Sequence, residues 1–166
     1  MVRLTDFLMF SPRTYNRLFE RYNHDVWPLH LAAVGLGIVI LVSKRPRLVA
    51  VAWLWVAYAF FWERFSTIHT YGKWFAIAFV IEALLCGAAG FSPPNPSGGL
   101  KPAAPLFFAL ILFIYPLIPP RHELFALAPD PTALATLALL PRWPARIIPI
   151  LWCVFSAATL LAMAMR

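Results

Sequence analysis

The sequence predicts an all-α fold, a polytopic transmembrane helical bundle of about six hydrophobic segments with an N-terminal interfacial amphipathic helix. Three observations predict it. Only 13% of the 166 residues are charged and 61% are apolar, against about 25% charged in ordinary soluble domains. The mean hydropathy is +0.73, and a surface built from fourteen basic and seven acidic side chains would leave large apolar patches facing water. The sixteen prolines sit at the ends of apolar runs or just inside them, where helices begin, stop or kink.

The elements follow in order. Residues 1–10 lack the basic-then-apolar run of a cleaved signal peptide, so targeting is expected from the first span. Residues 1–25 form the amphipathic unit. Ser11 and Pro12 read as an N-cap and first helical position. Tyr15, Leu18, Phe19 and Tyr22 recur at helical spacing, and Arg13, Arg17 and Arg21 make a row four residues apart. Such a helix is expected in the headgroup plane, aromatics in the acyl boundary and arginines on phosphates. The alternative is a helix packed on the protein itself.

The membrane bundle is expected over residues 26–166. Residues 26–43 form the first span, opened by Trp27-Pro28 and closed by Lys44, Arg45 and Arg47. Residues 48–65 are the second, rich in Trp and Phe, and residues 74–90 the third. Residues 91–104, with four prolines and Gly98-Gly99, read as a loop. Residues 105–118 are a short fourth span before Pro119-Pro120. The fifth, residues 131–146, is short or broken. Its apolar part ends at Leu140, about 15 Å as a helix and half the hydrocarbon thickness. It is therefore either a kinked span or a half-helix entering from the Pro129-Asp130-Pro131 turn. Residues 147–165 are the sixth. Basic residues divide too evenly between the two sides to set an orientation.

The net charge of +7 does not point to nucleic acid, because the basic residues punctuate apolar runs instead of forming one face. Anionic lipid headgroups account for them. Cys86 and Cys153 have no paired spacing, which excludes a disulfide framework or zinc motif, and no cofactor is indicated by motif.

The informative groups are polar. Glu82 lies near the middle of the third expected span, where a charge costs at least about 2.5 kcal/mol. It is expected either to bind a proton or cation, or to bond a backbone carbonyl, Tyr58 or Tyr115. His30 lies one turn into the first span. His24, His69 and His122 fall on the same side, without the spacing of a metal site. Tyr22, Asn23, Trp27, Trp62, Glu63, Arg64, His69 and Asp130 gather at one boundary. Trp and Tyr there fit a headgroup belt. Glu63 and Arg64 face Asp25 and Arg21 as a candidate ion-pair lid, and Asp130 is a candidate cap of the fifth segment.

The runs RYNHDVWP, LFALAPDPTALATLALL and RIIPILWCVFSAATLLAMA together resemble a family of small six-span bacterial membrane proteins of unknown function. The resemblance covers residues 15–165 and rests on Tyr22-Asn23, Trp27-Pro28, Tyr115-Pro116, the Pro129–Thr132 motif and Ile148-Pro149. It implies an integral protein of the bacterial inner membrane and no particular activity. Members carry a Cys between the two prolines and an amide at the Glu82 position. Asp130 and Glu82 stand there instead, which puts shared thiol or metal chemistry in doubt.

No nucleophile elbow, phosphate loop or dinucleotide fingerprint is present, so an enzyme is disfavoured. The favoured function is a non-catalytic accessory or assembly subunit of a larger membrane complex, through small-residue faces such as Ala33–Gly37 and Ala158–Ala162. Its expected partners are the lipid bilayer and other membrane subunits or further copies of the chain. The alternative is a small oligomeric transporter or channel using Glu82. A membrane-embedded enzyme or haem protein ranks third.

Overall fold

The computed structural model describes residues 11–89, 103–140 and 143–165. The expected linker over 91–104 and the N-terminal ten residues lie outside them, apart from residues 103 and 104, which open a helix. The fold is all-α, with seven helices and no strand among the described residues.

Helix α1, Pro12–Asp25, starts as its sequence dictates. Ser11 is extended, its Oγ accepts the Thr14 N–H at 3.1 Å, and Pro12 occupies the first turn. The aromatic stripe, however, does not face lipid. Tyr15, Phe19 and Tyr22 are buried against the protein, with Phe19 5.1 Å and Tyr22 5.4 Å from Phe60, ring to ring. The helix-on-protein alternative is the one adopted for that face, because Phe60 and Phe65 offer an aromatic surface of matching spacing.

After α1 the chain bends by 87° into α2, Leu29–Ser43. Lys44 ends α2 at φ 53, the left-handed stop that frees the last carbonyls from the helical ladder. A single turn over Pro46–Leu48 leads into α3, Val49–Trp55, which widens into a π-helical stretch over Val56–Trp62. The amide of Glu63 reaching the Tyr58 carbonyl at 3.1 Å is one of its long-range rungs. The wide turn lets the neighbours Phe60 and Phe61 both be fully buried, which 3.6-residue spacing does not favour.

Helix α4, Gly72–Ala89, begins where the chain passes close to itself. A Cβ at Gly72 would stand 2.4 Å from the Ser66 Cα, so only glycine fits. Helix α5, Ala103–Phe113, is followed by a turn at Tyr115–Leu117. Helix α6, Pro129–Leu139, is nearly all buried and packs on α3, α5 and α7. It stops at Leu139, and Leu140 is extended. Pro144 to Arg146, grouped with this segment in the sequence reading, instead open α7, Pro144–Ala164. The fifth expected segment is thus an eleven-residue helix that ends at Leu139.

Two helical units are long and apolar enough to cross a membrane, Pro46–Thr67 and Pro144–Ala164, or three if α1 and α2 are taken as one bent span. Six full-length spans are not reached among the described residues. Helices α2, α5 and α6 have 15, 11 and 11 residues, about 22, 16 and 16 Å of rise. Prolines at 28, 116 and 129 set one end of each. The core is aromatic: Trp53 stacks on Phe79 at 4.6 Å, and Trp152 meets Phe61 edge-on at 5.0 Å.

A half-buried arginine with two carboxyl partners

The stretch between α5 and α6 carries the least ordinary chemistry. Glu123 to Ala128 are all buried yet lack regular structure, and His122 and Ala126 adopt positive φ of 49° and 68°. For non-glycine residues such backbone is strained by about 1–2 kcal/mol each. It persists because its polar atoms are engaged. The Ala126 amide donates to Thr132 Oγ1 at 3.0 Å, and that hydroxyl donates to the Ala128 carbonyl at 2.7 Å. One turn on, Thr136 donates to the Thr132 carbonyl and accepts from Trp53 Nε1 at 2.9 Å.

Three ionisable groups meet at this loop. Arg121 Nη1 lies 2.7 Å from Glu123 Oε1 and 3.6 Å from Asp130 Oδ2. Asp130 accepts from Trp152 Nε1 and from Ser156 Oγ, both at 2.7 Å and both on α7. Its expected role as the N-cap of α6 is not what the structure shows. The cap position is Ala128, with no side-chain cap, and Asp130 sits inside the first turn facing α7. The carboxylate still meets the positive end of the helix there. Helix α1 closes the cluster. Arg121 lies 5.6 and 5.5 Å from the Tyr15 and Phe19 ring centres, and Asn23 Nδ2 donates to the carbonyls of Arg121 and His122 at 3.1 and 3.3 Å.

The charge balance decides what this cluster can do. Two carboxyls share one guanidinium out of water, where an uncompensated charge costs several kcal/mol. Asp130 is held by two donors, as suits an acceptor-only carboxylate. Glu123 differs. It is 2% exposed, its contact with Arg121 has ion-pair distance without hydrogen-bond alignment, and neither of its oxygens takes a hydrogen bond among the described residues. Burial first, then repulsion from Asp130, push its carboxyl well above the usual range against the opposing pull of Arg121. Burial likewise pushes the Tyr15 phenol up, with Asp130 and Glu123 adding to it. With both carboxyls ionised the cluster carries one net negative charge, and a proton on either one makes it neutral.

The other sequence candidates are dispersed. Glu82 is fully buried on α4; its Oε1 accepts from Cys86 Sγ at 3.2 Å, and its Oε2 takes no hydrogen bond among the described residues. Neither Tyr58, 60% exposed, nor Tyr115 hydrogen-bonds Glu82 among the described residues. His30 lies beside the Trp27 ring at 5.7 Å. His69 stacks on Phe65 at 5.1 Å and accepts the Tyr71 amide, and burial lowers its basicity. His122 Nδ1 is 3.0 Å from the Pro116 carbonyl. No group of three or more His, Cys, Asp or Glu among the described residues is placed to hold a metal.

The ion-pair lid reduces to Arg64 with Asp25, at 2.8 Å, with Arg64 also 5.8 Å from the Tyr22 ring centre. Glu63 and Arg21 take no part in an ion pair among the described residues. Tyr22 is buried and accepts from Trp55 Nε1 at 3.0 Å, while Trp27 and Trp62 are exposed. Of the boundary group, Tyr22, Asn23, Arg64 and Asp130 surround the α1 interface. Sequence reasoning placed Arg121 among ordinary loop charges and passed over Glu123. The signal available was an Arg-x-Glu followed at once by an apolar run, Leu124 to Ala128.

No family model matches this chain, and no curated protein or solved structure shows significant similarity to it.

Proposed function

We propose that the chain is an integral membrane protein of the six-segment kind its sequence resembles, and that it acts as a small proton-handling transporter centred on Glu123. The membrane reading is supported by thirty large apolar side chains left exposed among the described residues, Leu31, Val42, Leu84, Leu117, Leu151 and Leu161 among them. A soluble monomer does not carry apolar surface on that scale. Helices α2, α5 and α6 then act as shortened segments, with α6 a buried half-helix whose irregular approach is sheltered by protein.

The transport reading rests on one observation: a buried carboxyl that takes no hydrogen bond among the described residues and shares one guanidinium with a second carboxyl. An ionisable group in an apolar bundle marks an ion or proton route by default, and the surplus carboxyl here calls for a proton. Glu123 is preferred to Glu82 for this role because neither of its oxygens takes a hydrogen bond among the described residues, whereas Glu82 accepts one from Cys86. The accessory-subunit reading keeps less of its support, since a Cβ at Gly37 would stand 2.6 Å from Leu112 of the chain's own α5 and Ala33 is buried too. Exposed Trp27, Trp62, Trp74 and Trp143 still favour it as a second reading.

The test is proton movement by the purified chain in liposomes under an imposed potential. Wild type and Glu82→Gln are expected to acidify the interior, and Glu123→Gln to stop it. A chain that moves no proton alone but purifies in a larger assembly supports the second reading.

A further inference from the structure

A separate feature lies on the outer side of α1. Arg17 and Arg21 sit one turn apart, both exposed, and neither makes an ion pair or hydrogen bond among the described residues. Like charges at this spacing repel, so the pair is an unfavourable arrangement unless an anion lies between them. Opposite them stands Arg64, held in place by Asp25 and the Tyr22 ring. The three guanidinium groups, Asp25, and the half-buried Leu18 and Ile68 line one groove of about 470 Å³, within the size range of small-ligand sites.

The chemistry of the groove is specific. Three cations against one carboxylate leave two positive charges, which match a phosphomonoester of charge about −1.5 to −2. Guanidinium forks bind phosphate oxygens in pairs. Leu18 and Ile68 make part of the wall apolar, which a free inorganic anion does not use and an amphiphile does. We propose that this groove binds the phosphomonoester headgroup of phosphatidic acid, with Leu18 and Ile68 meeting the start of its chains. This rests on the membrane reading above and is independent of Glu123.

The experiment is native mass spectrometry of the full chain in non-ionic detergent, titrated with short-chain phosphatidic acid, phosphatidylcholine of equal chain length, or inorganic phosphate. One phosphatidic acid is expected to bind at least about tenfold tighter than phosphatidylcholine, without competition from inorganic phosphate. Arg17→Gln with Arg21→Gln is expected to weaken it about tenfold, while Arg13→Gln, outside the groove, changes it by less than about twofold. Equal loss in Arg13→Gln, no preference for the anionic lipid, or competition by inorganic phosphate overturns the proposal. Should the double variant not fold, wild-type affinity must fall as salt rises, and salt-independent binding overturns it too. Alkaline carbonate washing of membranes separates the two readings. A chain that stays in the pellet yet ignores phosphatidic acid sinks the groove alone, and one that washes off sinks the membrane reading.

Discussion

Replacing Glu123 by Gln removes one titratable group and keeps its shape. The side chain is 2% exposed and its oxygens take no hydrogen bond among the described residues, so an amide oxygen can remain beside Arg121 with little repacking. Wild type and variant are therefore expected to agree within about 1 kcal/mol at acid pH, where Glu123 is protonated in both the folded and the unfolded chain. The ordinary value is 4.5 and the folded group lies well above it, through burial and Asp130. As pH rises past that ordinary value the unfolded chain releases its proton and the folded chain keeps it. The folded state then binds more protons, so wild-type stability must fall, with a slope of up to about 1.4 kcal/mol per pH unit until the folded group ionises. The variant lacks this slope. Denaturant midpoints in mild detergent, taken from about pH 4 to about pH 8, give the difference curve. A flat difference, or wild type gaining on the variant as pH rises, refutes the assignment of a raised carboxyl.

Other substitutions probe the supports of the site. Asp130→Ala strands Trp152 Nε1 and Ser156 Oγ and leaves Arg121 with Glu123 as its one carboxyl partner, and is expected to lower unfolding stability by about 3–5 kcal/mol. Thr136→Val leaves the buried Trp53 Nε1 without its acceptor and should cost about 1–3 kcal/mol in the same assay. Gly72→Ala forces a backbone shift at Ser66, whereas Gly35→Ala and Gly87→Ala meet open space. The first should lower the thermal midpoint, and the other two should hold or raise it through helix propensity worth about 0.5–1 kcal/mol.

The all-α class was legible because burial in lipid or protein demands long apolar helices, and the Ser11-Pro12 start of α1 was legible because capping is local chemistry. Helix lengths were less so. Proline marked where the runs stop, but whether Trp27-Pro28 lies inside a span or at an 87° bend depends on what α1 packs against. The aromatic stripe of α1 had the same period for lipid or for Phe60 and Phe65, and periodicity does not name the partner. The π-helical stretch answers to the packing of Phe60 and Phe61, which no local preference encodes. At the site, Asp130 stood out by its two prolines. Arg121 and Glu123 did not, since a charged pair after Pro119-Pro120 reads as a solvated loop until the fold buries it.

The most direct test of the account is the infrared absorption of protonated carboxyl groups in the purified protein near neutral pH, compared between wild type and Glu123→Gln. A protonated-carboxyl band present in wild type and diminished in the variant is the expected result. A wild type without that band, or a variant spectrum identical to it, contradicts the claim that Glu123 carries a proton inside the bundle.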